Sequence, residues 1–491
     1  MSDDCLQLGC ENAPKGQRIP PITEVGLHTS TPSFAADLME VVRLFDGAET
    51  LAISHSTVFS DGYFASLVTL GNVTYDYLDK APEITNELEK KRYYKRAAKL
   101  ALYRALSSYF DVKMPWGSLT GIRPVRLARQ SIEKTGEFEK FFVEEMGVSE
   151  DKTQLVADII RAQKGVYDEG KRNVDLFVGI PFCPTRCSYC SFVSAPISKC
   201  TQWLDAYTEA LIKEIRAAKT QCGNLRSVYV GGGTPVCFPE KNLVKILEEI
   251  GDVGVEYTVE AGRPDAITEQ NLQLLKSFGV TRICVNPQTF SDQTLERIGR
   301  KHTAADVLKA YETARKVGFD INMDFIAGLP GEDYATFKKS IDLAVSLDPE
   351  NITVHTLCLK KGSELKESTA RLQEGETGKM VDYARIRTAE SGYNPYYLYR
   401  QKYAAGSLEN TGYAKKGKVC VYNVDVMEET ASNLACGANG ISKRVYLDEN
   451  RIERVGAPKD IPTYLQKVDR LIKEKEKLFG DLCPQTVYKE R

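Results

Sequence analysis

Histidine is scarce in this chain. Among 491 residues there are only His28, His55, His302 and His355, and none stands close in sequence to the cysteines considered below. Charge of one sign is also missing: 65 Lys+Arg against 67 Asp+Glu leaves a net charge of −2. Nothing in that balance asks for nucleic acid or a membrane surface. No apolar run reaches the roughly 18 residues of a membrane span. The first residues, MSDDCLQLGCENAPKG, are acidic and polar and do not read as a secretory leader, so a cytoplasmic protein is expected. Internal repeats and low-complexity tracts are absent. The 42% apolar and 27% charged content excludes bulk disorder, collagen and coiled coil. At about 150 residues per domain, the length implies two to four domains.

What the chain does have is a change of rhythm. Residues 1–22 are expected to be a flexible tail. From about 23 to 80, short apolar alternations (LAIS, YFASLVTL, VTYDYL) accompany one helical stretch, FAADLMEVVRLF, which predicts a small α+β unit. A long helix is predicted over 84–110. Its 86–106 portion carries seven basic residues against Glu87 and Glu89, either a solvated face or a docking surface for an anionic partner. A turn-rich connector, MPWGSLTGIRPVRLARQ, leads into more helix, so 23–170 is expected to be an N-terminal α+β and helical domain. Thereafter strand-like runs alternate with amphipathic stretches: VDLFVGI, SVYVGG, YTVEAG, TRICVN, INMDFIAG and NITVHTL, between 174 and 357. Among the intervals are TQWLDAYTEALIKEIRAAK and TLERIGRKHTAADVLKAYETARKVG, each read as helical. Alternation of this kind predicts an α/β fold with a parallel sheet. Six units give a β/α barrel two short of eight, over 171–369, with a separate C-terminal α+β cap over 370–491.

Three of the 13 cysteines, Cys183, Cys187 and Cys190, form C-x3-C-x2-C directly after the first of these strands. Three thiolates so spaced can reach one site from a single loop. Structural zinc normally takes four ligands in two pairs, and no second pair lies nearby. An iron–sulfur cube held by three cysteines leaves one iron open to a ligand. Zinc and ordinary buried thiols are the alternatives at this point. Arg186 and Lys199 flank the loop and would favour the thiolates. Phe182, Tyr189 and Phe192 would dry the site or simply pack in the core.

The C-x3-C-x2-C run followed by an aromatic resembles the radical S-adenosylmethionine (SAM) superfamily. PFCPTRCSYCSF, the later VYVGGGTP and MDFIAGLPGE resemble its oxygen-independent coproporphyrinogen III oxidase group. WGSLTGIRP before the barrel and YYLYRQK after it are similar to the HemZ branch of that group, coproporphyrinogen dehydrogenase. The barrel motifs cover roughly 173–365, and the flanking motifs extend the likeness to about 85–460. The resemblance implies an incomplete (β/α)6 radical-SAM barrel and a [4Fe-4S] cluster on Cys183, Cys187 and Cys190, with S-adenosyl-L-methionine chelated at the open iron. It implies reductive cleavage to a 5′-deoxyadenosyl radical, which takes a hydrogen from a substrate propionate. Carbon dioxide leaves, an electron passes to an acceptor, and a vinyl group remains. Two rounds convert coproporphyrinogen III to protoporphyrinogen IX. No catalytic residue beyond cluster and cofactor is implied. The partners implied are a tetrapyrrole substrate and an electron donor such as flavodoxin or ferredoxin.

The same resemblance assigns cofactor contacts at successive strand ends. Gly232, Gly233 and Thr234 would take the methionine end, where bare backbone also suits close approach of a ligand. Glu260 would accept from an ammonium or ribose hydroxyls, unless it pairs with Arg263. Gln288 would bind ribose. Arg300, twelve residues on, would fork the carboxylate rather than sit on the surface. Asp324 would bind ribose rather than cap a helix. Such a rim is what a β/α active site requires. Two departures stand out: Phe177-Val178-Gly179 replaces the group's usual Tyr-x-His, and Cys284 stands where a serine is usual. Cys284 is read as a packing thiol.

The segment 393–403 packs five tyrosines and two cations just beyond the barrel. Aromatic faces suit a tetrapyrrole ring, and cations suit its carboxylates. Arg400 is expected to grip a propionate, with Tyr397 and Tyr399 bordering the pocket, although strand alternation would put Arg400 and Lys402 on the opposite face from those tyrosines. Alternatives to the oxidase are a heme-binding chaperone of the same family and a radical enzyme that modifies or opens heme. The chaperones are expected to present a histidine in the cap, and here none follows His355. Cys483-Pro484 would be a weak heme ligand at best.

Overall fold

The computed structural model describes residues 25–45, 51–121, 123–190, 192, 194–358, 363–365, 376–401 and 404–482. The tail expected over 1–22, Lys402, Tyr403 and Cys483 lie outside these. The chain divides into two compact units, Met1–Val156 and Ala157–Arg491.

In the first unit, β1 (Val25–Thr29) lies parallel to β2 (Leu51–Ser60), and β2, β3 (Tyr63–Leu70) and β4 (Val73–Lys80) form an antiparallel meander. Asp61 and Gly62, both at positive φ, make the two-residue hairpin turn between β2 and β3. Helices Ala35–Val42 and Glu87–Phe110 contribute Leu38, Val41, Ala98, Ala101 and Leu102 to a core shared with Ile53, Val68 and Leu70. The basic helix is engaged within this unit. Lys95 pairs with Asp37 at 3.3 Å, Arg104 with Asp79 at 2.7 Å, and the half-buried Arg96 stacks 4.6 Å from Phe141.

The second unit is built on six parallel strands in sequential order: β5 (Asn173–Ile180), β6 (Asn224–Gly232), β7 (Glu256–Gly262), β8 (Arg282–Val285), β9 (Asp320–Ala327) and β10 (Asn351–Thr356). Four of them, β5, β8, β9 and β10, are buried almost residue for residue, as a sheet covered on both faces demands. Helices Leu204–Gln221, Glu240–Ile250, Glu269–Ser277, Ala304–Val317 and Tyr334–Leu347 fill the crossovers. This is an incomplete (β/α)6 barrel. Its edge strands β5 and β10 do not pair with each other but with later strands.

Those later strands correct the expected separate cap. β11 (Asn394–Arg400) and β12 (Glu409–Ala414) extend the sheet antiparallel from β10. At the other edge β13 (Ser432–Cys436) runs parallel to β5 and continues into β14 (Ile441–Tyr446) and β15 (Arg451–Gly456). One 11-stranded sheet results, so the C-terminal segment completes the barrel's edges rather than standing apart. The C-terminal helix Ile461–Phe479 is anchored to Leu204–Gln221 through Glu214. This carboxylate, with no exposure, is paired with Lys475 and accepts from Tyr464 and from the Gly437 amide, both at 2.7 Å.

Candidate active site

The strand ends converge on one cavity of about 310 Å³, lined by Cys183, Cys187 and Cys190 from the loop after β5 and by residues ending β6 to β11. The cysteine loop is tied down at several points. The Thr234 amide donates to the Phe182 carbonyl at 2.7 Å, and the Thr234 hydroxyl sits 3.6 Å from Cys183 Sγ. The Ser188 amide donates to Ile298 O at 3.1 Å. Arg263, paired with Asp265 at 2.7 Å, donates to Thr185 between the first two cysteines. Burial pushes the Cys183 and Cys190 thiols up, outweighing the cationic help expected from Arg186. A ligand requiring thiolates must therefore release protons on binding. Of the aromatics, Phe182 packs in the core against Tyr207 and Phe238, Tyr189 lines the cavity, and Phe192 is 66% exposed at its border.

Each glycine of the triplet at the end of β6, Gly231 to Gly233, has a separate structural reason. A Cβ on Gly231 would lie 3.1 Å from the Glu260 carboxyl carbon, Gly232 has φ +97°, and a Cβ on Gly233 would collide with the backbone of Phe182 and Ile180. The triplet lets the strand pass under the cysteine loop and over Glu260. Glu260 does not pair with Arg263. It accepts from the Tyr229 hydroxyl at 2.6 Å, and burial pushes its carboxyl up to about 7. Tyr229 stacks 4.5 Å from Tyr422, which with Phe177 forms an aromatic layer. Gly179 replaces the usual histidine where space is short. A Cβ there would lie 3.1 Å from the Cys436 carbonyl, as β13 closes on β5.

Gln288 adopts φ +70°, a left-handed conformation rare for a side-chain-bearing residue. Its amide donates to Asp324 O at 2.9 Å, and Ile326 N donates to its carbonyl at 3.1 Å. The stretch expected as one helix breaks into Asp292–Arg297 and Ala304–Val317. Gly299, at φ +75°, ends the first piece, and a Thr303/Asp306 capping box starts the second. The break puts Arg300 into the cavity wall, 7% exposed, donating to Asn286 O and lying beside Tyr189 and Cys187. Asp324 lies on β9 opposite Thr353, not at a helix cap, and accepts from Asn322 at 2.7 Å. Cys284, buried at the cavity wall, is held neutral by burial.

The expected substrate set separates. Tyr397 and Tyr399 line the cavity with rings 6.5 Å apart and nearly parallel, 4° between planes. Arg400 points the other way, 6% exposed and outside the cavity lining, donating to the Ser407 carbonyl at 2.7 Å opposite Glu409. Strand alternation accounts for this, so the propionate contact expected of Arg400 is corrected. Sequence reasoning missed three groups: Tyr229, which holds Glu260; Arg263, which holds the cysteine loop; and His355, which is hydrogen-bonded to the Tyr399 hydroxyl and faces Asp324 at 3.9 Å. For the tyrosine and the histidine the available signal was position, an inward polar residue near the C-terminal end of a barrel strand.

The lining fits the implied cofactors. Beside the cysteine loop, Gln288 Oε1, Asn286 Oδ1 and Arg300 Nε are buried without hydrogen-bond partners. Unsatisfied buried acceptors and donors call for a ligand carrying both, such as ribose hydroxyls and a carboxylate.

The radical SAM superfamily profile matches residues 177–344. The oxygen-independent coproporphyrinogen-III oxidase-like protein HemZ of Bacillus subtilis (strain 168) is 33% identical over 426 residues, 83% of this chain and 85% of the relative. The heme chaperone HemW of the same organism is 38% identical over 193 residues, 38% of this chain and 50% of the relative. Among solved structures, coproporphyrinogen III oxidase (HemN) from Escherichia coli aligns at 19% identity and TM-score 0.49, over 65% of this chain and 72% of that one. The family's cofactors are a [4Fe-4S] cluster and SAM. The chain belongs to the radical SAM superfamily, in its oxygen-independent coproporphyrinogen-III oxidase-like group of HemZ type.

Proposed function

We propose that the protein catalyses oxidative decarboxylation of the propionates of coproporphyrinogen III to vinyl groups, yielding protoporphyrinogen IX for heme biosynthesis in the cytoplasm. What carries the reading is the reach of the likeness. The oxidase-like relative is matched over 83% of this chain, while the chaperone HemW is matched over 38%. The chemistry that cluster and SAM supply when bound is one-electron cleavage to a carbon radical able to take a hydrogen atom. The chain's own residues hold and orient the participants. Cys183, Cys187 and Cys190 ligate the cluster. Gly232, Gly233 and Thr234 meet the methionine end of SAM, Arg300 takes its carboxylate, and Glu260, Gln288 and Asp324 take ammonium and ribose. Tyr397 and Tyr399 give an apolar wall for a pyrrole. A small flavodoxin or ferredoxin supplies the electron.

The 38% identity over 193 residues to a heme chaperone favours a second reading, heme binding without turnover. Anaerobically reconstituted protein given SAM, reductant, an electron acceptor and coproporphyrinogen III, and in a parallel titration heme, separates the two. Vinyl product with released carbon dioxide is the expected result. Stoichiometric heme uptake without product would overturn the enzyme reading.

A further inference from the structure

His355 sits on β10 at the end of the parallel run opposite the strand that leads into the cysteine loop. Its Nδ1 lies 3.2 Å from the Tyr399 hydroxyl, and its Nε2 lies 3.9 Å from Asp324 Oδ2. Burial keeps the Tyr399 phenol protonated, so it can donate to Nδ1 and leave the proton on Nε2. The separation to Asp324 exceeds a hydrogen bond, and Asp324 Oδ1 is already occupied by Asn322. The Nε2–H donor is thus oriented but not consumed.

The other cations lining the cavity are committed elsewhere. Arg263 binds Asp265 and the cysteine loop, Arg282 pairs with Glu256 at 2.6 Å, and Arg300, beside Cys187, is given above to the SAM carboxylate. The rings of Tyr397 and Tyr399 stand next to the imidazole, with His355 and Tyr399 centroids 6.3 Å apart. An apolar aromatic wall ending in an oriented donor suits a pyrrole ring that carries a carboxylate on a short arm.

We infer that His355 is a substrate-positioning residue, its Nε2–H holding a side-chain carboxylate of the tetrapyrrole whose ring lies along Tyr397 and Tyr399. This rests on the tetrapyrrole reading above and replaces the role expected of Arg400.

The test uses cluster-loaded full-length protein. Coproporphyrin III, the oxidised and fluorescent form of the proposed substrate, is titrated by fluorescence into wild type, His355→Gln and Tyr399→Phe. Loss of one charge-assisted contact predicts binding about 10- to 100-fold weaker for His355→Gln, and a smaller loss, about threefold, for Tyr399→Phe, which keeps its ring. In turnover, KM for the porphyrinogen rises more than kcat falls, and the SAM dissociation constant moves less than about threefold. Wild-type affinity in both variants, at unchanged cluster content and melting temperature, overturns the inference while leaving the decarboxylation intact. Should His355→Gln lose its cluster, Tyr399→Phe alone decides, and unchanged affinity there overturns it. Porphyrin binding that depends on His355 in a protein making no vinyl product overturns the decarboxylation and keeps the site. No porphyrin binding by wild type overturns the site, and the absence of vinyl product as well overturns both.

Discussion

Replacing Tyr229 with Phe removes one hydroxyl and keeps the ring that stacks on Tyr422. The hydroxyl donates to Glu260 at 2.6 Å, and that carboxyl already sits at about 7 because burial disfavours its charge. A hydrogen bond to a charged group contributes about 1.5–3 kcal/mol, or about 1–2 pKa units at 1.36 kcal/mol each. The variant's Glu260 should therefore titrate near 8–9. If SAM binds the ionised carboxylate, the competent fraction at pH 7 drops from about one half to between one tenth and one hundredth. Apparent affinity falls by the same fraction, about 5- to 50-fold. At pH 9 wild type is almost fully ionised and the variant at least about half, so the penalty shrinks to about twofold or less. Calorimetric titration of SAM into reconstituted protein from pH 6.5 to 9 reads both the loss at neutral pH and its disappearance at high pH. A loss independent of pH, or none, refutes the argument and removes Glu260's charge from cofactor recognition.

Cys187→Ala should abolish the brown chromophore and cluster iron after reconstitution, while Cys284→Ser keeps both; iron and sulfide analysis decides. Asp324→Ala and Arg300→Ala should keep the cluster but weaken SAM binding about 10- to 150-fold by calorimetry, the worth of one charged hydrogen bond. Glu260 is raised in the folded state, so its stabilising share is present below the unfolded carboxyl value and lost as pH rises towards about 7. Thermal melts of the apo protein should accordingly fall less between pH 5 and 8 in Glu260→Gln, the residual slope including Glu332, which burial also raises to about 7. Lys475→Met strands the buried Glu214 carboxylate and should cost about 3–5 kcal/mol, read as a lower melting temperature, with partial recovery when Glu214→Gln is added.

How far the sequence discloses this molecule depends on which periodicity each residue obeys. The six parallel strands were legible because strands buried on both faces are rich in apolar residues; Val174–Ile180 is polar only at Asp175, and Ile321–Ala327 only at Asn322 and Asp324. The C-terminal strands obeyed no such rule. β13, buried beside β5, comes after two helices and a hairpin, and its pairing across more than 250 residues leaves no local trace. A register reading of β11 was available and sufficient: side chains at 397 and 399 share a face that 400 does not. Charge chemistry drew Arg400 towards a propionate, yet geometry put it on Ser407. Arg300 is the opposite case. Its spacing from Gln288 was visible, but the agent that swings it inward is a helix break at Gly299 inside a stretch whose periodicity reads as continuous helix. His355 was invisible as chemistry because a single histidine in an apolar strand is usually packing. It gains meaning only from two partners, Asp324 and Tyr399, that lie 31 residues before and 44 after it. The residues that ligate were written locally, in one loop of eight positions. Those that orient a ligand were distributed one per strand, and only the order of the strands in the sheet brings them together.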